Sequence, residues 1–171
     1  QHPVLLDPDE TAMAQIPELA ESGHPSIKIF LSFKRFDRNV EEFLRAMRVA
    51  AAVGSVVLLH CEDAALMGCC GELVREAGLT EHRHYPETRP VVAERIATER
   101  AVGFCEISGA ATYIVHLSSQ AALDTCRGAR ARGLPLYVET RPIYLHLERS
   151  RFDEPDGAKY AGAPPLREEQ D

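Results

Sequence analysis

No run of apolar residues in this sequence approaches the ~20 that a membrane-spanning helix requires. The opening residues, Gln1-His2-Pro3-Val4-Leu5-Leu6-Asp7, lack the basic start and apolar stretch of a signal peptide. Basic residues are in deficit, and the formal net charge of −7 offers no surface for nucleic acid or an anionic membrane. The five cysteines, Cys61, Cys69, Cys70, Cys105 and Cys126, are odd in number and show no C-x-x-C spacing. That speaks against a secreted disulfide framework and a thiolate zinc site, so the expected location is the cytoplasm. Length excludes one more class, because 171 residues fall short of the ~250 typical of a closed (β/α)8 barrel.

What is present is an ordinary globular composition, 45% apolar and 26% charged, with four short strand-like runs. They are Ser26–Leu31, Val56–His60, Thr112–His116 and Leu134–Glu139, each a few residues after a glycine (Gly23, Gly54, Gly109, Gly133). Glycine accepts the left-handed conformation that ends a helix, so the repeating unit reads helix, glycine, strand. Between the runs, Val40, Phe43, Leu44 and Met47 keep helical spacing behind a candidate N-cap, Asn39. Pro90 suits a first helical position, Ser118 or Ser119 suits a cap, and a short helix is expected over 9–20. The strands read as continuous apolar runs, which predicts burial on both faces. Alternating helices and parallel strands then give an α/β fold. Residues 153–165, rich in proline, glycine and acidic groups, read as extended loop, and no linker divides the chain.

Chemistry is expected where the strands end, because parallel α/β folds gather functional groups at the carboxyl ends of their strands. His60 and His116 close two of them and Glu139 closes the last. Either histidine alone reads more simply as a satisfied polar residue, but two at equivalent positions could share a site. Lys28 stands between Ile27 and Ile29, where burial would lower its pKa and make the neutral amine a nucleophile. It could form a Schiff base or add carbon dioxide as a carbamate. The plainer alternative is an ion pair with Glu139 or Glu62. Cys61 reads as packing and Cys69-Cys70 as part of a helix. His82 and His84 read as solvent-facing. Arg89 is expected to pair with Glu87 or Glu94, and Glu139 with Arg141.

Four stretches resemble one family. Ser26-Ile27-Lys28-Ile29-Phe30-Leu31 resembles its strand around a carboxylated lysine, and Leu59-His60-Cys61-Glu62-Asp63 its His-x-Glu segment. His84-Tyr85-Pro86-Glu87-Thr88-Arg89-Pro90 resembles the opening of its next helix. Tyr113-Ile114-Val115-His116-Leu117-Ser118-Ser119, with Val138-Glu139-Thr140-Arg141-Pro142-Ile143-Tyr144-Leu145, is the most specific, and Ala163-Pro164-Pro165-Leu166-Arg167 continues it. The sequence is similar to cyclic amidohydrolases of the dihydropyrimidinase/hydantoinase family, in the amidohydrolase superfamily.

The resemblance implies that residues 1–171 are the central part of a metal-dependent barrel domain, about half of a (β/α)8 TIM-type barrel. It implies a binuclear zinc centre bridged by carboxylated Lys28, with His60 and His116 on one metal. The implied reaction opens a hydantoin or dihydropyrimidine ring to an N-carbamoyl amino acid. Allantoin or dihydroorotate is the alternative substrate, and a non-catalytic scaffold of the same barrel the alternative role. The implied partners are a small cyclic amide and further copies in a homo-oligomer, with no nucleic acid and no membrane. Three departures qualify this. The family's paired His-x-His is missing, its later catalytic aspartate would lie beyond Asp171, and Phe33 stands where many relatives carry an oxyanion-stabilising tyrosine. The expectation is therefore an inactive partial barrel when the chain is alone.

Overall fold

The computed structural model describes residues 2–171 as a parallel four-stranded sheet in chain order, β1-β2-β3-β4, with helices packed on one face. The elements are α1 (Glu10–Glu21), β1 (Ser26–Phe30), α2 (Lys34–Arg38), α3 (Val40–Ala52), β2 (Val56–His60), α4 (Ala64–Glu76), α5 (Val91–Ser108), β3 (Thr112–Ile114), α6 (Gln120–Ala131), β4 (Leu136–Val138) and α7 (Pro142–His146). Sequential parallel pairing through helical crossovers is the βαβ repeat, so the α/β, partial-barrel reading holds. Four strands are half the number in a closed barrel.

The expected two-sided burial holds in β2, where Val57 to His60 are all buried, but not in the other three strands. In β1 the exposure alternates, with Ile27 and Ile29 buried under the helices and Ser26, Lys28 and Phe30 on the opposite, open face. Register carries this across the sheet. Ile29, Leu59, Ile114 and Val138 form one row on the helix side, and Lys28, Leu58, Tyr113 and Tyr137 one row on the other. Tyr137 is 52% exposed there. β1's outer edge is partly occupied, because Lys28 N–H donates to Pro3 O and Leu5 N–H to Lys28 O, each at 2.8 Å. β4 is the opposite edge.

Small side chains let the helix layer approach closely. Ala93, Ala97, Ala101 and Cys105 recur every fourth residue along α5, and Ala122, Cys126 and Ala129 line α6; all are fully buried. α3 buries Phe43 and Met47, contributing about 1.5–3 kcal/mol each by removal from water. Gly109 ends α5 at φ +70°, a conformation that a Cβ would strain.

Local details refine the expectations. Asp9 caps α1 through a 2.7 Å bond from Ala12 N–H, and Ser119 caps α6. Pro90 precedes α5 as its cap residue instead of starting it, while Asn39 precedes α3 but turns its amide to Arg35 O. The segment 153–165 includes a 3₁₀ turn at Gly157–Tyr160 instead of running extended. All five cysteines are free thiols; Cys61, Cys105 and Cys126 are buried, and Cys69 and Cys70 lie on α4.

Candidate active site at the strand ends

His60 is the last residue of β2, and the connection to α4 is only three residues long. Asp63 ends it by capping α4, accepting from Ala65 N–H at 3.1 Å and Leu66 N–H at 3.0 Å. Glu62 is thereby driven inward and is fully buried. A buried carboxylate is expensive unless paired. Glu62 Oε2 takes both a 2.8 Å bond from His60 Nε2 and a close one from Arg89 Nη1.

His116 reaches the same place from β3 by leaving the strand early. The expected strand to residue 116 stops at Ile114 because His116 adopts φ +43°, a left-handed value costing about 1–3 kcal/mol in a non-glycine residue. Its neighbours hold it: Val115 N–H donates to Leu59 O at 3.2 Å and Leu117 N–H to Glu139 O at 2.8 Å. Glu139 Oε1 also accepts from His116 N–H at 3.4 Å. The result is that His60 Nδ1 and His116 Nε2, from residues 56 positions apart, lie 3.0 Å from each other.

The tautomers follow from these partners. With Glu62 ionised against Arg89, His60 carries its proton on Nε2, and Nδ1 is the bare acceptor of a proton on His116 Nε2. His116 Nδ1 is then also bare, in agreement with its lack of any partner although buried. Burial first, and then the nearby His60 and the Lys28 ammonium, push the His116 pKa down to about 3, so the ring is neutral across the ordinary range.

Lys28 comes from the same open face but is half-buried, less enclosed than expected. Its Nζ sits 5.0 Å over the Phe30 ring, which in turn lies 5.3 Å from the His60 ring. Burial pushes the ammonium down to about 8, with Glu139 opposing. The alternative ion pair with Glu139 or Glu62 is not formed. Phe33 stacks on Phe30 at 5.1 Å and is 44% exposed, beside the site with no hydroxyl to offer. Among the described residues no three His, Cys, Asp or Glu side chains gather as a metal cluster. The candidate donors brought together are the two imidazoles, with the Lys28 amine on the adjacent strand.

Other expectations need correction. Arg89 pairs with Glu62, because Glu87 is taken by Arg149 and His84, and Glu94 is buried elsewhere. Glu139 meets Tyr113 Oη and His116, not Arg141. His82 and His84 are partly buried, the former bonded to Glu154 O at 3.1 Å. Glu94, 2% exposed, was not singled out for the site, yet it accepts from Ser118 N–H (2.7 Å), Ser118 Oγ (3.0 Å) and Ser119 Oγ (2.5 Å), just after His116. Its readable signal was a charge on the apolar stripe of α5, one turn before Thr98 and two before Ala101.

A parallel βαβ sheet that brings two imidazoles together at the ends of neighbouring strands is a partial-barrel arrangement with a candidate site at its strand ends. No protein-family model matches the sequence. Individual proteins do. D-phenylhydantoinase of Escherichia coli O9:H4 (strain HS) is 38% identical over 168 residues, which are 97% of this chain and 36% of that protein. The solved D-hydantoinase (dihydropyrimidinase) from Thermus sp. superposes with a TM-score of 0.93 at 34% identity, over 99% of this chain and 38% of that one. Dihydropyrimidinase from Brevibacillus agri NCHU1002 gives a TM-score of 0.90 at 30% identity, over 98% and 37%. Across the stretch it spans, the chain belongs to the hydantoinase/dihydropyrimidinase family. It spans a little over a third of the length of the relatives it matches.

Proposed function

We propose that this chain is the central part of a metal-dependent cyclic amidohydrolase that opens a hydantoin or dihydropyrimidine ring to an N-carbamoyl amino acid. The observation that carries the reading is the 3.0 Å approach of His60 Nδ1 to His116 Nε2 at adjacent strand ends, beside Lys28. His60, His116 and carboxylated Lys28 would hold a binuclear zinc centre. When bound, such ions polarise the ring carbonyl and acidify water.

The chain's own residues are suited to these roles. Glu62 fixes His60 with Nδ1 bare, as carboxylates do behind ligating histidines. The proton now shared between the two imidazoles occupies the place that a cation would take, and the neutral His116 ring can carry it on its unpartnered Nδ1 instead, leaving Nε2 free to ligate. Lys28 has a neutral-amine fraction that ordinary lysines lack. Its Nζ can form an N–C bond to carbon dioxide and release a proton, turning a half-buried cation into an anion with two oxygens. Phe33 donates nothing to an oxyanion, an observation that favours the second reading, a non-catalytic relative on the same barrel.

The remaining ligands and strands would come from sequence outside these residues. Five free thiols favour a reducing cytoplasm, and self-association would cover the β4 edge. The test is ring opening of hydantoin and dihydrouracil by the protein as its gene encodes it, with and without a chelator. Zinc-restored hydrolysis is expected; a protein that binds zinc but opens neither ring supports the scaffold.

A further inference from the structure

Arg167 belongs to the segment after α7 and is buried there at 8% exposure, anchored beside the fully buried Leu166. Its guanidinium reaches two separate segments. Nε donates to Ser118 Oγ at 3.0 Å, and Nη1 donates to the backbone carbonyl of Arg89 at 2.5 Å. Nη2 lies 3.9 Å from Glu94 Oε2, the counter-charge that makes burial tolerable, and has no hydrogen-bond partner of its own.

Each segment leads to one histidine. Ser118 is two residues past His116, directly after Leu117, whose N–H bond to Glu139 O helps to hold the left-handed His116 backbone. Arg89 is the residue whose side chain fixes Glu62, and Glu62 in turn fixes the His60 ring. A planar fork can hold both at once, whereas the single ammonium of a lysine in the same place cannot match its two directions.

We propose that Arg167 is a positioning residue that sets both histidines of the site together, through Ser118 on one side and Arg89–Glu62 on the other. The proposal rests on the metal-site reading above. It predicts that Arg167 tunes metal affinity and imidazole geometry, although it touches neither ring.

The test compares wild type, Arg167→Lys and Arg149→Lys in the full chain. Arg149 also ties this segment down, through Glu87 and Glu168, but leads to neither histidine. Two readouts are taken: zinc affinity by competition titration, and ring ¹⁵N shifts of His60 and His116 in the metal-free protein. In Arg167→Lys, zinc binding should weaken about tenfold or more, within the range seen for outer-shell partners, and both rings' shifts should move. Arg149→Lys should do neither. If Arg167→Lys unfolds, Ser118→Ala severs one arm alone and should move the His116 ring more than the His60 ring. A folded Arg167→Lys with wild-type zinc affinity and unmoved ring shifts overturns the positioning role and leaves the family reading standing. A wild type that binds no zinc overturns the metal-site reading itself, and with it any effect of Arg167 on affinity.

Discussion

Replacing Glu94 by alanine should be among the costliest single changes outside the strands. Glu94 is 2% exposed and satisfies one backbone N–H and two hydroxyls in the Ser118-Ser119 turn, besides balancing Arg167. Alanine would leave the Ser118 N–H without its acceptor and Arg167 as an uncompensated buried cation. Breaking a buried pair in this way costs about 3–5 kcal/mol. For a domain of this size that is a fall in Tm of roughly 6–20 °C. Glu94→Gln removes the same counter-charge but keeps one acceptor for Ser118 N–H, so it should be less damaging than alanine by about 1–3 kcal/mol. The pH dependence supplies an independent sign. Burial holds the Glu94 carboxyl above its ordinary 4.5, with Arg167 opposing. The folded state thus binds this proton more tightly than the unfolded one, so the group's contribution is largest below pH 4.5 and shrinks as pH rises through the raised value. Glu94→Gln should remove that slope. Urea denaturation of the three proteins across pH 4–8 is the assay. An alanine variant within about 0.5 kcal/mol of wild type would refute the reasoning.

Lys28→Met should raise the stability of the metal-free chain at pH 7 by about 1–2 kcal/mol, because it removes a half-buried ammonium without opening a cavity; a lower urea midpoint than wild type would contradict this. Phe33→Tyr should improve ring opening in the protein as its gene encodes it by about 10-fold or more, since it restores a hydroxyl beside the site. Unchanged kcat would show that Phe33 is misplaced as the oxyanion position. The isolated residues 1–171 should show no ring opening and should self-associate along the β4 edge, as light scattering would report. A monodisperse monomer with zinc-dependent hydrolysis would refute it.

The helix-glycine-strand repeat made the order of elements legible, because each strand was compact and the helix before it ended at a glycine of positive φ (Gly23, Gly54, Gly109, Gly133). Which side chains share a face was not legible. Lys28 between Ile27 and Ile29 looked enclosed, yet the two-residue period puts it on the opposite, open face, and only the strand register decides this. His60 and His116 could be picked out as strand-end residues, but their meeting depends on His116 leaving β3 early in a left-handed turn. Periodicity carries no trace of that event. Arg89 was given the wrong partner because Glu87, Glu94 and Glu62 are equivalent candidates until burial separates them. Arg167, 78 residues from Arg89, joins the site only through tertiary contacts.

The central claim is that Lys28, His60 and His116 hold metal, and the most direct measurement is the zinc content of the protein as its gene encodes it, beside Lys28→Ala and Lys28→Arg, with density inspected for a carbamate on Lys28. Two zinc ions and a carboxylated lysine are expected in wild type. Both variants should lose metal, the arginine because a guanidinium stays cationic where an anion is required. An unmodified Lys28 in a hydrolytically active protein, or a Lys28→Arg variant that retains both ions, would contradict the account.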